Sequence, residues 1–224
     1  MVRSLGPAGR ANHYRSGRAA ARSHAAAADA LRENGIAELS ARSVAGRADV
    51  NQALIFYHFG TVADLIDAAC REAVDSSIDG YRQQFAAVGS FVELLRLGRE
   101  LHDRERATGN VAIMAQLMAG AQSNERLAAT ARYCLARWNA ELETVVARLV
   151  DGSAFDGLLD PAGLARAISS GFLGLELYEG VDSAGAHDAL EALERLGVLV
   201  EVVDELPPIA QRALRVKLRR RTRT

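Results

Sequence analysis

The residues with most to offer chemically lie between Ser40 and Thr61, and what they offer is hydrogen bonding. Val44, Ala45, Val50 and Ile55 have the spacing of two short helices that pack against each other, and small Ala45 lets them approach at a steep angle. That arrangement leaves Arg42, Ser43, Asn51, Gln52, Ala53 and Leu54 facing outward. Arg and Gln side chains can meet base edges with two bonds at once, and the apolar members can meet a thymine methyl group. Tyr57, His58 and Thr61 follow with polar tips suited to phosphate oxygens. The chemistry implied is recognition of double-stranded DNA by a helix-turn-helix.

Bond-making chemistry finds little support. The five histidines, His13, His24, His58, His102 and His187, are scattered without metal-ligand spacing, and the two cysteines, Cys70 and Cys134, are far apart within helical patterns. We therefore expect buried, unreactive thiols, no structural metal and no cofactor. There is no phosphate-binding glycine loop, no nucleophile elbow and no expected pair of carboxylates clustered on one face, so an enzyme is not expected. The competing reading is a small helical enzyme or carrier that contains the three-helix unit without using it on DNA.

Charge points the same way as the motif. The net charge of −1 conceals eight Arg against four acids in residues 1–60 and six basic groups with no acid in residues 215–224. Basic groups gathered at the chain ends favour a polyanionic partner at one pole. No run is apolar enough for a membrane span, and Arg22, His24 and Asp29 break the Ala-rich N-terminal stretch, so a cytoplasmic protein is expected.

The elements that must position these residues are helical throughout. Residues 1–17 read as a flexible basic arm, and a first helix runs from Arg18 to Asn34 with Gly35 as its stop signal. Ser40 caps a second helix, Ala41 to Arg47, and Asn51 caps a third ending near Tyr57. Thr61 and Asp64 form a capping box for a long helix towards Phe85. The fold class is thus all-α, with a helix-turn-helix head over residues 18–60 and a larger helical domain over residues 61–206. Asp160 and Pro161 open one helix of that domain, and its successor runs from Ala186 to Glu205, where Pro207 and Pro208 end it. The β-prone run from Val198 to Val203 lies in a helical frame. Residues 207–224 read as a solvated, disordered basic tail.

The segment resembles the TetR family of regulators in order and spacing: Val44 and Ala45, Ala48 to Val50, Ile55 to Phe59, Gly60 and Thr61, then Asp64 and Leu65. The match covers about residues 20–70. The resemblance implies a DNA-binding head, a divergent helical domain that binds an inducer, and two last long helices that pair in a four-helix dimer interface. It also implies base contacts from Arg42 and Gln52 and mainly backbone contacts from Tyr57 and His58. Three positions depart from the family pattern: Asp49 stands where the turn usually has Gly, Phe56 replaces a Tyr, and Val62 replaces a Lys. The arm residues Arg15, Arg18 and Arg22 could compensate by reaching the minor groove.

A pocket for a small-molecule ligand is expected among His102, Met114, Leu117, Met118, Tyr133, Trp138 and Phe172, with Gln116 or Glu176 as further polar partners. One recognition helix reads few base pairs, so a homodimer on a palindromic operator is expected. Its interface is placed at Ile168, Gly171 and Leu175 on one helix and at Leu190, Leu193, Gly197 and Val200 on the next. The expected role is a repressor that ligand releases from DNA, with no membrane partner.

Overall fold

A computed structural model describes the backbone of residues 7–221, and their side chains apart from those of residues 7–21, 37, 219 and 221. Among the described residues there are ten helices and no strand: α1 (Pro7–Glu38), α2 (Ala41–Ala48), α3 (Gln52–Phe59), α4 (Val62–Ala87), α5 (Phe91–Ala107), α6 (Asn110–Ala121), α7 (Glu125–Val150), α8 (Pro161–Glu179), α9 (Ser183–Asp204) and α10 (Pro208–Arg221). The all-α expectation holds, and the Val198 to Val203 run is helical within α9.

Two boundaries differ from the sequence reading. Helix α1 begins at Pro7, so residues 7–17 are helical where a flexible arm was expected. Proline is pre-organised for the first helical turn. The Ala and Arg residues that follow favour helix, and Gly9 and Gly17 cost only about 1 kcal/mol each against Ala. The tail is likewise helical up to Arg221. Pro207 and Pro208 do terminate α9, but Pro208 also starts α10, where its missing N–H is no loss. The new helix is tied down by Gln211 Nε2, which donates to Asp204 O at 2.6 Å, and by Arg215 Nη2, which donates to Ser153 O at 2.8 Å.

The chain forms two compact units, one of Met1–Ser76 with Thr108–Cys134, the other of Ser77–Ala107 with Leu135–Thr224. In the first, Leu31, Val44, Ile55, Leu65, Leu117 and Cys134 are fully buried and join helices α1 to α4 with α6 and the start of α7. Gly35 has φ 75° and ψ 178°, which ends the regular run of α1 where the sequence expects a stop. The backbone N–H that follows, from Ile36, donates to Gln116 Oε1 of α6 at 2.7 Å. Close packing repeats at Gly109, where an added Cβ would lie 3.0 Å from the Arg32 carbonyl oxygen.

The second unit is built on Tyr81, Phe85, Val88, Leu94, Leu97, Leu101, Val145, Val146 and Val150. Arg148 of α7 donates to the carbonyls of Phe85 and Val88 at 2.9 and 2.8 Å, closing the C-terminal end of α4. Glu105 is buried but satisfied: Ser77 Oγ and Tyr81 Oη donate to its Oε1 at 2.7 and 2.9 Å. Burial, followed by the neighbouring Glu105 charge, pushes the Tyr81 phenol up to about 12, so it stays protonated and keeps donating.

Candidate nucleic-acid interface

Local caps build the site. Ser40 Oγ accepts from Ser43 N at 3.1 Å while Ser43 Oγ accepts from Ser40 N at 3.1 Å, so two of the free N–H groups at the start of α2 are satisfied reciprocally. The turn to α3 passes through Asp49 at φ 52° and ψ 53°. This is a left-handed conformation that Asp tolerates better than most side chains, though less freely than Gly. Asn51 Oδ1 then accepts from Ala53 N at 2.8 Å and starts α3. Thr61 and Asp64 make the expected box at the head of α4, with Thr61 Oγ1 donating to Asp64 Oδ2 at 2.6 Å and accepting from Asp64 N at 3.1 Å. Across Gly60, with φ 80°, α4 leaves α3 at 74°.

The apolar faces go inward as the spacing requires. Ala41, Val44, Ala45 and Ala48 of α2 and Ile55 and Phe59 of α3 are buried, and Phe59 rests against the His24 ring at 4.7 Å between centroids. A second brace is Arg47, whose Nη1 donates to Glu33 Oε1 at 2.8 Å and which thereby ties α2 to α1. The same hydrogen bond holds the Glu33 carboxyl below the usual carboxylate range.

What remains outward is the surface expected for reading DNA. Arg42, Asn51, Gln52, Ala53, Tyr57 and Thr61 are exposed, while Ser43, Leu54 and His58 are half-buried. Tyr57 is 80% exposed, with its ring edge-on to His58 at 5.3 Å. Ser43, Asn51 and Thr61 also serve as caps, so their side chains hold the helix starts in place as well as facing solvent. The Arg42 side chain has no hydrogen bond or ion pair to any described residue. Phe56, 44% exposed, adds an apolar ring beside Tyr57 where a hydroxyl would have offered a phosphate contact. Arg22 is exposed on α1, whereas the side chains of Arg15 and Arg18 lie outside the described residues.

The expected ligand residues distribute between the units. In the first, Leu117 is a core residue, Met114 and Met118 are half-buried, and Tyr133 Oη donates to Asp75 Oδ2 at 2.8 Å beneath the Arg71 guanidinium. In the second, Trp138 packs on Tyr81 and Phe85, each at 6.2 Å. His102 lies edge-on to Phe172 at 6.4 Å.

The structure also brings together a group that the sequence reading missed. His102 Nδ1 lies 2.5 Å from Glu176 Oε1, its Nε2 pairs with Glu179, and Glu179 pairs in turn with Arg106. The expectation of no carboxylate pair on one face is thus corrected, because Glu176 and Glu179 are three residues apart and share a face of α8. Their spacing was the available signal, but His102 is 74 residues from Glu176, and only tertiary packing joins them. Burial pushes the Glu176 carboxyl up, against the opposing pull of His102.

The proposed interface residues are also divided by packing. Gly197 and Leu175 are buried within their own chain, and an added Cβ at Gly197 would lie 2.6 Å from Leu95 Cδ1. Ile168, Leu190 and Val200 are half-buried, whereas Gly171 and Leu193 are exposed. Helix α9 leaves Leu193, Leu196, Val198, Leu199 and Val202 to solvent, and Leu193, Leu196, Leu199 and Val202 form a stripe at a spacing of three, of which the sequence reading noted only Leu193. Among the described residues no single helix is long and apolar enough to cross a membrane.

A capped pair of short helices displaying free polar side chains, set within an all-helical fold, defines a helix-turn-helix DNA-binding protein. Comparison with known proteins gives the same class. Residues 25–69 match the model of the bacterial regulatory proteins of the tetR family. An uncharacterized HTH-type transcriptional regulator of Mycobacterium tuberculosis is 24% identical over 156 residues, covering 70% of this chain and 80% of that one. Among solved structures, a chain from Rhodococcus sp. described as a TetR-family transcriptional regulator superposes with TM-score 0.68 at 22% identity, over 82% of this chain and 98% of that one. The multidrug binding protein EbrR, complexed with proflavin, superposes with TM-score 0.54 at 27% identity, over 78% and 99%. Residues 25–69 thus carry the DNA-binding segment of the tetR family, and the chain as a whole is similar in fold to TetR-family regulators.

Proposed function

We propose that two copies of this chain bind a palindromic operator in the cytoplasm as a repressor, and that a small-molecule ligand releases them. The observation that carries the DNA reading is the outward face of α2 and α3, where exposed Arg42, Gln52 and Tyr57 stand on helices fixed by three consecutive caps. Arg42 and Gln52 read base edges, Ala53 and Leu54 offer apolar contact, and Ser43, Asn51, Tyr57, His58 and Thr61 position the head on the backbone.

Dimerisation is supported by the solvent-facing stripe of Leu193, Leu196, Leu199 and Val202 on α9, and by Gly171 and Gly174 on α8, beside which an added Cβ would meet open space. Self-complementary pairing of such a surface produces the twofold symmetry that a palindrome requires. Ligand control is supported by similarity to EbrR, seen with proflavin. Release requires only that ligand prefer the arrangement that does not fit the operator.

The test is selection of bound sequences from a random duplex pool at near-physiological salt, run in parallel with an Arg42→Ala, Gln52→Ala double variant. Wild type should enrich a palindromic site. Each lost bidentate contact costs about 1–3 kcal/mol, so the double variant should bind that site at least about tenfold more weakly. Failure of wild type to enrich any site would overturn the reading.

A further inference from the structure

We propose that His102, Glu176 and Glu179 bind one divalent transition-metal ion of the zinc class, pinning α5 to the C-terminal end of α8. Each of the three residues can offer a ligand atom, and those atoms lie within 4.8 Å of one another. Two donors about 2.1 Å from a tetrahedral zinc ion sit roughly 3.4 Å apart. The observed cluster brackets that spacing, from its 2.5 Å contact to its 4.8 Å limit. Glu176 faces Nδ1 of His102 and Glu179 faces Nε2, so one carboxylate must turn towards the other for both to meet an ion held by a single ring nitrogen.

The surroundings favour an ion over a network held by protons alone. His102 and Glu176 are buried, and the Phe172 ring packs nearly perpendicular to the imidazole, 6.4 Å between centroids. Glu176 Oε2 is buried with no hydrogen-bond partner. An unpaired carboxylate oxygen away from water is costly, and a metal ion would supply the missing partner. Arg106 pairs with Glu179 and His102 Nδ1 with Glu176 Oε1, but these contacts leave that oxygen unsatisfied. One imidazole nitrogen with two carboxylate oxygens is a mixed set that suits zinc, cobalt or nickel. Magnesium and calcium instead prefer six or more oxygens.

Metal binding at this cluster is independent of DNA binding and is measured without DNA. Full-length chain treated with a chelator and dialysed is titrated with Co²⁺, following its visible ligand-field absorption, and then with Zn²⁺ in competition. Wild type should saturate at one Co²⁺ per chain, and Zn²⁺ should displace it. Glu176→Gln and Glu179→Gln keep the side-chain shape and should each weaken binding about tenfold or more. Circular dichroism shows which variants fold; Glu179 is the more exposed carboxylate, so its variant decides the matter if the Glu176 variant does not fold. Absence of a saturable site in wild type would overturn the proposal. So would undiminished binding by a folded Glu179→Gln variant, which would place the ion on surface groups such as His187 and Glu191.

Discussion

Replacing Gly35 with Ala should destabilise the chain by about 1–3 kcal/mol, and the amount follows from two local facts. At φ 75° and ψ 178° the backbone occupies a region nearly closed to residues with a Cβ. Forcing Ala into it costs about 1–3 kcal/mol. The new Cβ would also lie 2.6 Å from Gln116 Oε1, so the flexible amide must swing away and give up its 2.7 Å bond from Ile36 N. That loss adds about 1 kcal/mol. Ala restricts the unfolded chain more than Gly, which offsets about 0.4–1 kcal/mol. Gln116→Ala alone should cost about 1 kcal/mol, since it removes only the hydrogen bond. Because both substitutions lose the same bond, the double variant should fall short of the summed effects by about 1 kcal/mol. Urea unfolding followed by circular dichroism measures all three. A Gly35→Ala variant within about 0.5 kcal/mol of wild type, or strict additivity in the double variant, would refute the reasoning.

Asn51→Ala should lower stability by about 1 kcal/mol in the same assay, because it removes the acceptor for Ala53 N; Asn51→Asp should keep that stability yet weaken operator binding in a gel-shift titration by placing a negative charge on the DNA-facing surface. Burial pushes the Cys70 thiol up to about 12 and the Cys134 thiol up to about 11. A thiol reagent at pH 8 should therefore label neither while the chain is folded and both once urea unfolds it. Burial disfavours the Asp67 charge, but hydrogen bonds from Arg71 and Thr130 outweigh it and hold the carboxyl below its reference value of 3.8. The stability this supplies is complete above that value and is lost as pH falls through the lower folded-state value. Asp67→Asn should accordingly be less stable than wild type at pH 7, with the gap narrowing in melts taken below pH 3.8.

Legibility in the sequence tracked the range of the interaction. Ser40, Asn51, Thr61 with Asp64, and Asp160 with Pro161 act within three residues of themselves, and each helix start they announce is where the structure has it. The buried and outward faces of α2 and α3 followed from the same short periodicity. The tail failed because Pro207 and Pro208 carry two meanings, terminator and initiator, and the choice was made by Ser153, 62 residues from Arg215. Gly197 failed for a related reason: a small residue signals close approach, but its partner, Leu95, belongs to the same chain. The cluster of His102 with Glu176 and Glu179 needed α5 and α8 to be packed before it existed at all.

The contact of Arg148 with the carbonyls of Phe85 and Val88 bears on the order in which the chain assembles. A helix whose last carbonyls are satisfied by a side chain some 60 residues downstream lacks that closure until the later segment arrives. During synthesis the end of α4 would therefore fray until α7 docks, and its final turn and the docking of α7 would become a single event. In the finished protein that couples their opening too. Amide hydrogen exchange at the end of α4 would report on the attachment of α7, not on the intrinsic helix preference of the residues being exchanged.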